Sequence, residues 1–460
     1  MAFLLKSRIK FAYLQKKQYL CSEIGKYAHL VRKQMANKRK IINDPVFGFL
    51  SIPNELVYDV LQHPYVQRLG RIRQLGLSNL VYPGALHSRF GHSIGAMHLM
   101  QEAIQSLRLK GVEITDDEAT AAQIAILLHD IGHGPFSHVL EHTLVEGVSH
   151  EDISLLMMER INDDLSHNDQ RPLNLAIAIF KNEYPKHFLH QLISSQLDVD
   201  RMDYLCRDSF FTGVQEGRVA SERLLKMLDV RNDRLVVQQK GIYSVEKFLV
   251  ARRLMYWQVY LHKTSVAAEQ HLIKILSRAK ELARAQKNHK SEIINHKSEL
   301  FCSPALHYFL YQQVTKQMFS PHSEALDQYA LLDDTDVLSA IKAWISCDDR
   351  VLSALSRAFI NRQLFRGELL EAPLTDEQKN ELNRQYAEWL GVSEQDAAYC
   401  WSEHVSTSNT YSEKADTIDI LYSDGTVHDI AEASEILDLQ ALTRKPIKRY
   451  LFRMRETTND

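Results

Sequence analysis

The sequence predicts a mostly α-helical protein, with a helical core, a helical C-terminal extension and a small α/β tail that contains a β-hairpin. Three observations carry this. The first is ITDDEATAAQIAILLHD, residues 114–130, where Thr115 and Glu118 have the spacing of a capping box and Asp116 and Asp117 lie where a helix's positive end favours acids. The run from Ala119 to Leu128 is apolar almost all round, so this helix belongs at the centre of a core. The second is Ser149 followed by Asp152, another capping signal, which opens a helix through ISLLMMERI. The third is TIDILYSDGTVHDI near the C-terminal end, which alternates about Asp424-Gly425 and reads as a hairpin.

In chain order, residues 1–39 are basic with Glu23 as the only acid, and read as a solvated helical extension, or else as a nucleic-acid or phosphate-binding arm. Residues 40–280 read as a mostly helical domain. Gly132, Gly134 and Pro135 end the central helix and leave His129 and Asp130 in its last turn. A long helix is expected from Ser244 past Lys263, followed by a hydrophilic helix or linker around Lys280–Glu299. Residues 281–402 form the helical extension and 403–460 the α/β segment, where RYLFRMR adds a strand.

Composition narrows the function classes. A formal net charge of -3 gives no whole-molecule attraction to nucleic acid or to a membrane. The cysteines, at 21, 206, 302, 347 and 400, form no CxxC pair, which fits a reducing cytoplasm better than a disulfide framework. No stretch approaches the ~18 apolar residues of a membrane helix, and Lys6, Arg8 and Lys10 interrupt the apolar start. A cytoplasmic protein is expected.

Three segments stand out among the histidines: HSRFGHS (87–93), LLHDIGHGPFSH (127–138) and LDVDRMDYLCRD (197–208). An ionisable His-Asp pair at the end of so apolar a helix carries a desolvation cost that a bound cation would offset. Two imidazoles with two carboxylates make a mixed N/O site suited to iron, manganese or zinc, and less readily to magnesium. Such a site leaves positions open for water and a phosphate oxygen, the requirement for metal-assisted phosphoester hydrolysis.

These residues resemble the HD-domain superfamily, and within it the deoxynucleoside triphosphate triphosphohydrolases, including members that carry a sterile alpha motif, a motif not legible here. The similarity runs through KIINDPVFGF (40–49), QRLGRIRQLG (67–76), YPGALHSRFGHSIG (82–95), HDIGHGPFSH (129–138), DVDRMDYLCRD (198–208) and YLHK (260–263), with an echo at NRQLFR (361–366). The resemblance implies an HD-type helical core with His92, His129, Asp130 and Asp200 as ligands of one divalent ion (Fe, Mn, Zn or Mg), and a second Mg carried in with the nucleotide phosphates. It implies attack of metal-activated water on the alpha phosphorus, giving a deoxynucleoside and inorganic triphosphate. His133 and His150 fall where the family transfers protons, and Glu141 where it has a cooperating aspartate. Taken singly, His133 could instead serve a helix end, and His150 could cap a helix beside Ser149.

The resemblance also places Arg89, His138, Arg201 and Arg252 at the phosphates. Gln74, Leu75, Tyr204 and Asp208 fall at the sugar, and Tyr260 at the base. Arginine's planar fork suits phosphate oxygens, and a leucine at the sugar would exclude a 2'-hydroxyl. Tyr256 and Leu261 depart from the family near the base, which leaves base preference open. Lys40, Asn43, Gln67, Arg362 and Arg366 match or approximate family positions for a nucleotide activator, whereas Gln62 and Gly70 do not, so either regulation differs or GTP is not the activator. Homo-oligomers, dimers or tetramers, are the implied assembly. The alternatives are an HD phosphohydrolase acting on a modified, monophosphate or signalling nucleotide, and a nucleotide-sensing or single-stranded nucleic-acid-binding protein.

Overall fold

The computed structural model describes residues 40–136, 139, 143, 145, 147–165, 170–288, 299–407, 417–436 and 447–455. The basic segment 1–39, His138, Glu141 and most of the hydrophilic stretch before Glu299 lie outside the described residues. The chain divides into two compact units, up to Tyr58 and from Asp59 onward.

The first unit holds an antiparallel hairpin, β1 (Ile41–Asp44) and β2 (Gly48–Ser51), registered from Ile41 opposite Ser51 to Asp44 opposite Gly48. Asp44 turns the chain by accepting the Val46 and Phe47 amides, both at 2.9 Å. A mostly helical expectation for residues 40–280 misses this hairpin, because four-residue strands leave almost no periodicity to read.

The second unit is built around α1 (Arg89–Leu109), α2 (Asp116–Leu128), α3 (His150–Asp164) and α4 (Arg171–Phe180). Both expected capping boxes are present, Thr115 with Glu118 and Ser149 with Asp152. Helix α2 packs between α1 and α4, and every residue from Ala121 to Leu128 is buried, as its all-round apolar pattern requires. It ends at Leu128, one step before the expected last turn, so His129 is its C-cap. Next come α5 (Val199–Thr212) and an unexpected hairpin, β3 (Leu228–Arg231) and β4 (Arg234–Gln238).

The long helix expected from Ser244 past Lys263 is broken. Helix α6 (Ile242–Met255) passes into a π-turn over Tyr256–Tyr260, in which the Leu261 amide donates to the Tyr256 carbonyl at 2.7 Å, before α7 starts at Lys263 and runs to Asn288. Wide turns of this kind insert a residue and re-aim the side chains beside it, often at functional sites. Here the turn spans Tyr256 to Tyr260, whose rings meet edge-on with centroids 5.2 Å apart.

The extension supplies α8 (Glu324–Leu331), α9 (Asp334–Trp344) and α10 (Arg350–Ile360), and then a strand absent from the expectation, β5 (Arg366–Leu370). Two more strands follow, β6 (Trp401–Thr407) and β7 (Asp419–Leu421). The expected hairpin joins β7 to β8 (Val427–Asp429), with Gly425 at φ +87° in the turn. The first five residues of RYLFRMR lie in β9 (Ile447–Arg453), which ends before Met454. The two strand pairs go to different sheets: β7 pairs parallel with β4 in the order β3-β4-β7-β8, and β9 lies between β5 and β6. Among the described residues no helix is long and apolar enough to cross a membrane.

Candidate metal centre and nucleotide pocket

Helices α1 and α5 meet where Gly95 faces Asp203 and Arg207; a Cβ at residue 95 would overlap Asp203 Oδ1 and Arg207 Nη2, so only glycine permits the approach. This crossing brings His92, in the first turn of α1, against Asp200, in the first turn of α5. The end of α2 delivers His129 and Asp130 to the same place. Asp200 Oδ1 lies 3.1 Å from His92 Nε2 and 3.3 Å from His129 Nε2. Asp130 Oδ1 is 3.4 Å from His129 Nε2, and its Oδ2 is 3.8 Å from His92 Nε2. Metal bonds of about 2.0–2.2 Å place neighbouring ligand atoms at such separations.

Three features test whether a cation fits. Both Nε2 atoms are buried and make no hydrogen bond. The far nitrogens are already committed: His129 Nδ1 lies 2.7 Å from the Ile126 carbonyl, and His92 Nδ1 lies 2.7 Å from Asp203 Oδ2. A carbonyl can only accept, and Asp203 is an ionised acceptor that also takes Arg207 Nε and Nη2, each at 2.9 Å, so both Nδ1 atoms carry protons and aim Nε2 lone pairs at the centre. The electrostatics agree. Burial alone would depress His92, but Asp200 and Asp203 outweigh it and lift the imidazole to about 10; His129 is raised against burial by Asp130 and Asp200. Despite burial, His129, Arg89 and His133 hold Asp130 well below the usual carboxylate range, and the two imidazoles lower Asp200. Empty of a cation, the site draws in protons. The donor set fits a divalent metal.

A second group, Asp130, His133 and His150, also brings potential ligand atoms together. Its geometry is different. The His133 and His150 rings stack with centroids 4.0 Å apart and planes 16° from parallel. A ring nitrogen's lone pair lies in the ring plane, and two nearly parallel planes so far apart share no point for one ion. Burial, and then Arg89, push His133 well below its ordinary value and keep it neutral; its Nε2 lies 3.4 Å from Asp130 Oδ1. Ser149 caps α3, so His150, at the first helical position, is not the capping group. Ser154 Oγ braces the motif, donating to the His129 carbonyl and accepting the Gly132 amide, both at 2.9 Å.

Several expected substrate residues surround the centre. Arg89 is buried and pairs with Asp130. Arg201 pairs with Asp198 but leaves Nε unpartnered, and Arg252 is buried with Nε and Nη1 unpartnered. Arg201, Tyr256, Arg252 and Asp200 all act electrostatically on the Tyr204 hydroxyl, whose pKa burial raises first of all. Tyr260 meets Tyr204 and Tyr256 edge-on, at 6.0 and 5.2 Å between centroids. Gln74 Oε1 is buried without a partner, and Leu75 beside it is half-buried. Asp208 stands one step back: it accepts from the Tyr260 hydroxyl at 2.8 Å, and its other oxygen lies 2.8 Å from His87 Nε2. His138 and Glu141 lie outside the described residues.

Sequence reasoning missed Asp203, Arg207, His87 and Ser154. The first two were legible in principle: at three and seven positions beyond Asp200 they share its helix face, where unpaired charges do not stay buried. Of the expected activator positions, Arg362 donates to the Leu80 carbonyl at 2.8 and 3.2 Å. With Lys263, Arg366 and Arg453 it lines a cationic cavity of about 790 Å³.

The HD domain family matches residues 89–208 and the HD associated region matches residues 219–300. The Bacillus subtilis protein YwfO is 36% identical over 334 residues, covering 72% of each chain. A deoxynucleoside triphosphate triphosphohydrolase SAMHD1 homolog of Dictyostelium discoideum is 34% identical over 245 residues, 50% of this chain and 47% of that one. The chain thus spans about half the length of that triphosphohydrolase. The crystal structure of a phosphohydrolase from Bacteroides thetaiotaomicron superposes with a TM-score of 0.85 at 54% identity, over 91% of this chain and 100% of that one.

Proposed function

The chain belongs to the HD-domain superfamily of phosphohydrolases, and from that premise we propose that it hydrolyses deoxynucleoside triphosphates to a deoxynucleoside and inorganic triphosphate. One observation carries the reading. Two buried imidazole Nε2 atoms without partners converge with two carboxylates, beside arginine nitrogens that also lack partners. Each is a group waiting for what a metal nucleotide brings.

His92, His129, Asp130 and Asp200 hold the ion, with Asp203 and the Ile126 carbonyl keeping the two imidazoles in the ligating tautomer. A divalent ion bound there supplies Lewis-acid polarisation of a phosphoryl oxygen and a water of lowered pKa. Arg252 and Arg201 offer unpartnered N–H groups to phosphate oxygens, while Arg89 neutralises Asp130 and adds positive charge on the same side. His133, neutral at rest, takes a proton at a ring nitrogen, and the stacked His150 leads toward solvent, where its Nε2 lies 3.7 Å from the exposed Glu151. Gln74 Oε1 accepts a hydrogen bond from the sugar 3'-hydroxyl, and Leu75 fills the space of a 2'-hydroxyl. Tyr260, fixed by Asp208, presents its ring to the base.

The test is product identity. Purified protein loaded with Mn, Fe, Zn or Mg is given canonical deoxynucleotides and ribonucleotides, and both products are identified. Inorganic triphosphate with a deoxyribose preference is expected; orthophosphate or pyrophosphate would move the chain to another HD phosphohydrolase activity. We further propose a homo-oligomer, checked by light scattering, and a nucleotide regulator at the cavity of Lys263, Arg362, Arg366 and Arg453. Gln62 and Gly70 stand where the family's guanine-specific contacts lie, so strong stimulation by GTP would overturn that part.

A further inference from the structure

The segment QRLGRIRQLG has three arginines, Arg68, Arg71 and Arg73, that the proposed chemistry leaves unused. All three meet one tripeptide of the helical extension, Leu332-Asp333-Asp334, more than two hundred and fifty residues away in sequence. Arg68 is wholly buried and donates from Nε to the Leu332 carbonyl at 2.8 Å. Arg71 Nε donates to Asp333 Oδ2 at 2.6 Å, and the Arg73 backbone amide donates to Asp334 Oδ2 at 3.0 Å. The other oxygen of Asp334 accepts the Phe136 amide at 2.8 Å.

Those two amides belong to neighbouring segments, which meet again where a Cβ at Gly76 would come within 3.3 Å of the Phe136 carbonyl oxygen. Arg73 precedes Gln74 and Leu75, the sugar-side pair. Phe136 closes the loop that carries His133, and it is a buried non-glycine residue at φ +54°, a conformation that costs of order 1–3 kcal/mol unless its surroundings impose it. The same extension touches the loop twice more. The Tyr329 hydroxyl donates to the Gly132 carbonyl at 2.9 Å, and a Cβ at residue 134 would come within 2.8 Å of that hydroxyl. Arg68 Nη1 also reaches the Ile131 carbonyl at 3.3 Å, tying the residue after Asp130 to the same anchor.

We infer that Asp334 is a positioning residue for the hydrolytic site: its single buried carboxylate holds the sugar-side segment 73–75 and the proton-handling loop 131–136 at a fixed separation. One surface ion pair would hold neither so rigidly, whereas a carboxylate accepting a backbone amide on each oxygen fixes two main chains at once. The inference rests on the functional reading only for what the two segments do, not for their being held.

Asp334→Asn tests it, because the amide keeps the shape and one acceptor but offers a donor to the second N–H. In the full-length, Mn-loaded protein, backbone hydrogen exchange at Arg73 and Phe136 should both quicken, by about tenfold or more at the amide left facing the new NH2 group and by less at the one that keeps a neutral carbonyl acceptor in place of a charged one. Turnover of the four deoxynucleoside triphosphates should fall by about tenfold or more with KM changed by less than about threefold, and bound Mn per chain should stay the same. Asp334→Glu, which keeps both oxygens, should recover part of the turnover. Unchanged exchange at either amide, or a quickening spread evenly over the whole chain, would overturn the inference. Absence of deoxynucleotide hydrolysis by the unaltered protein would sink the functional reading instead, and the exchange measurement would still decide the positioning role. Should Asp334→Asn fail to fold, the same two amides are read in Asp334→Glu.

Discussion

Two histidines, His92 in the HD core and His271 in α7, are equally inaccessible to water, and their surroundings drive them in opposite directions. Burial pushes His271 down to about 3, with its Nε2 at 3.0 Å from the Leu355 carbonyl and its ring stacked on Phe365 at 4.3 Å. His92 feels the same burial, yet Asp200 and Asp203 lift it to about 10. Each also has one buried ring nitrogen without a hydrogen-bond partner. The orphaned nitrogen is therefore not by itself the mark of a ligand. What distinguishes the metal centre is convergence: the spare nitrogen of His92 faces a second imidazole and two carboxylates, whereas that of His271 belongs to a ring packed on Phe359 and Phe365.

The sharpest test of that difference is removal of a converging group. His129→Ala should abolish stoichiometric metal binding and lower turnover by about a thousandfold or more, measured by metal analysis and product release. Retention of both would mean that the four side chains do not hold the ion. Arg252→Ala comes next. Its guanidinium leaves Nε and Nη1 unpaired in the folded chain, so kcat/KM should drop by about a hundredfold with little change in melting temperature. A large stability loss would instead assign Arg252 to the core. Asp203→Asn leaves the four ligands in place but weakens the grip on His92 Nδ1. Metal affinity should fall by about 10–100-fold, read by titration against a chelator.

The two histidines should also separate by pH. In the metal-free protein, His92 has a folded pKa near 10 against an ordinary 6.5, so its stabilising contribution is complete below pH 6.5 and is lost as pH rises through about 10. His271, with a folded pKa near 3, contributes stability that is present above pH 6.5 and is lost as pH falls toward 3. Melting temperature should decline on both sides, and loading the metal should remove the alkaline decline alone. If both limbs survive loading unchanged, the cation is not replacing the proton on His92. The smallest effect is expected from His271→Leu, about 1 kcal/mol from the lost hydrogen bond to Leu355, with metal content and turnover unaltered.

What could be read from the sequence was local. The capping boxes at Thr115 and Ser149, the stop after Leu128 and the Asp424-Gly425 turn each depend on residues within a few positions, and their chemistry is the same in any fold. His92, His129, Asp130 and Asp200 were singled out by spacing and flanking residues that form an ordered family pattern, and the structure brings the four side chains together. The break between α6 and α7 was not legible, since nothing in MYWQVYLHK forbids a continuous helix. Within the π-turn the Tyr260 hydroxyl donates to Asp208, a contact with another helix that no local pattern announces.

By itself, then, the sequence determined which side chains were available and where the backbone would start and stop its helices. Tertiary structure alone decided which of them act together. The glycine crossing at residue 95 sets how closely His92 approaches Asp200, and Asp203 sets the tautomer of His92. The tripeptide 332–334 reaches back to the segment 68–73 and to the Phe136 amide. Each of these is a contact between segments remote in the chain, and the free energy of such a contact depends on distance and burial in space, which no local pattern of residues encodes.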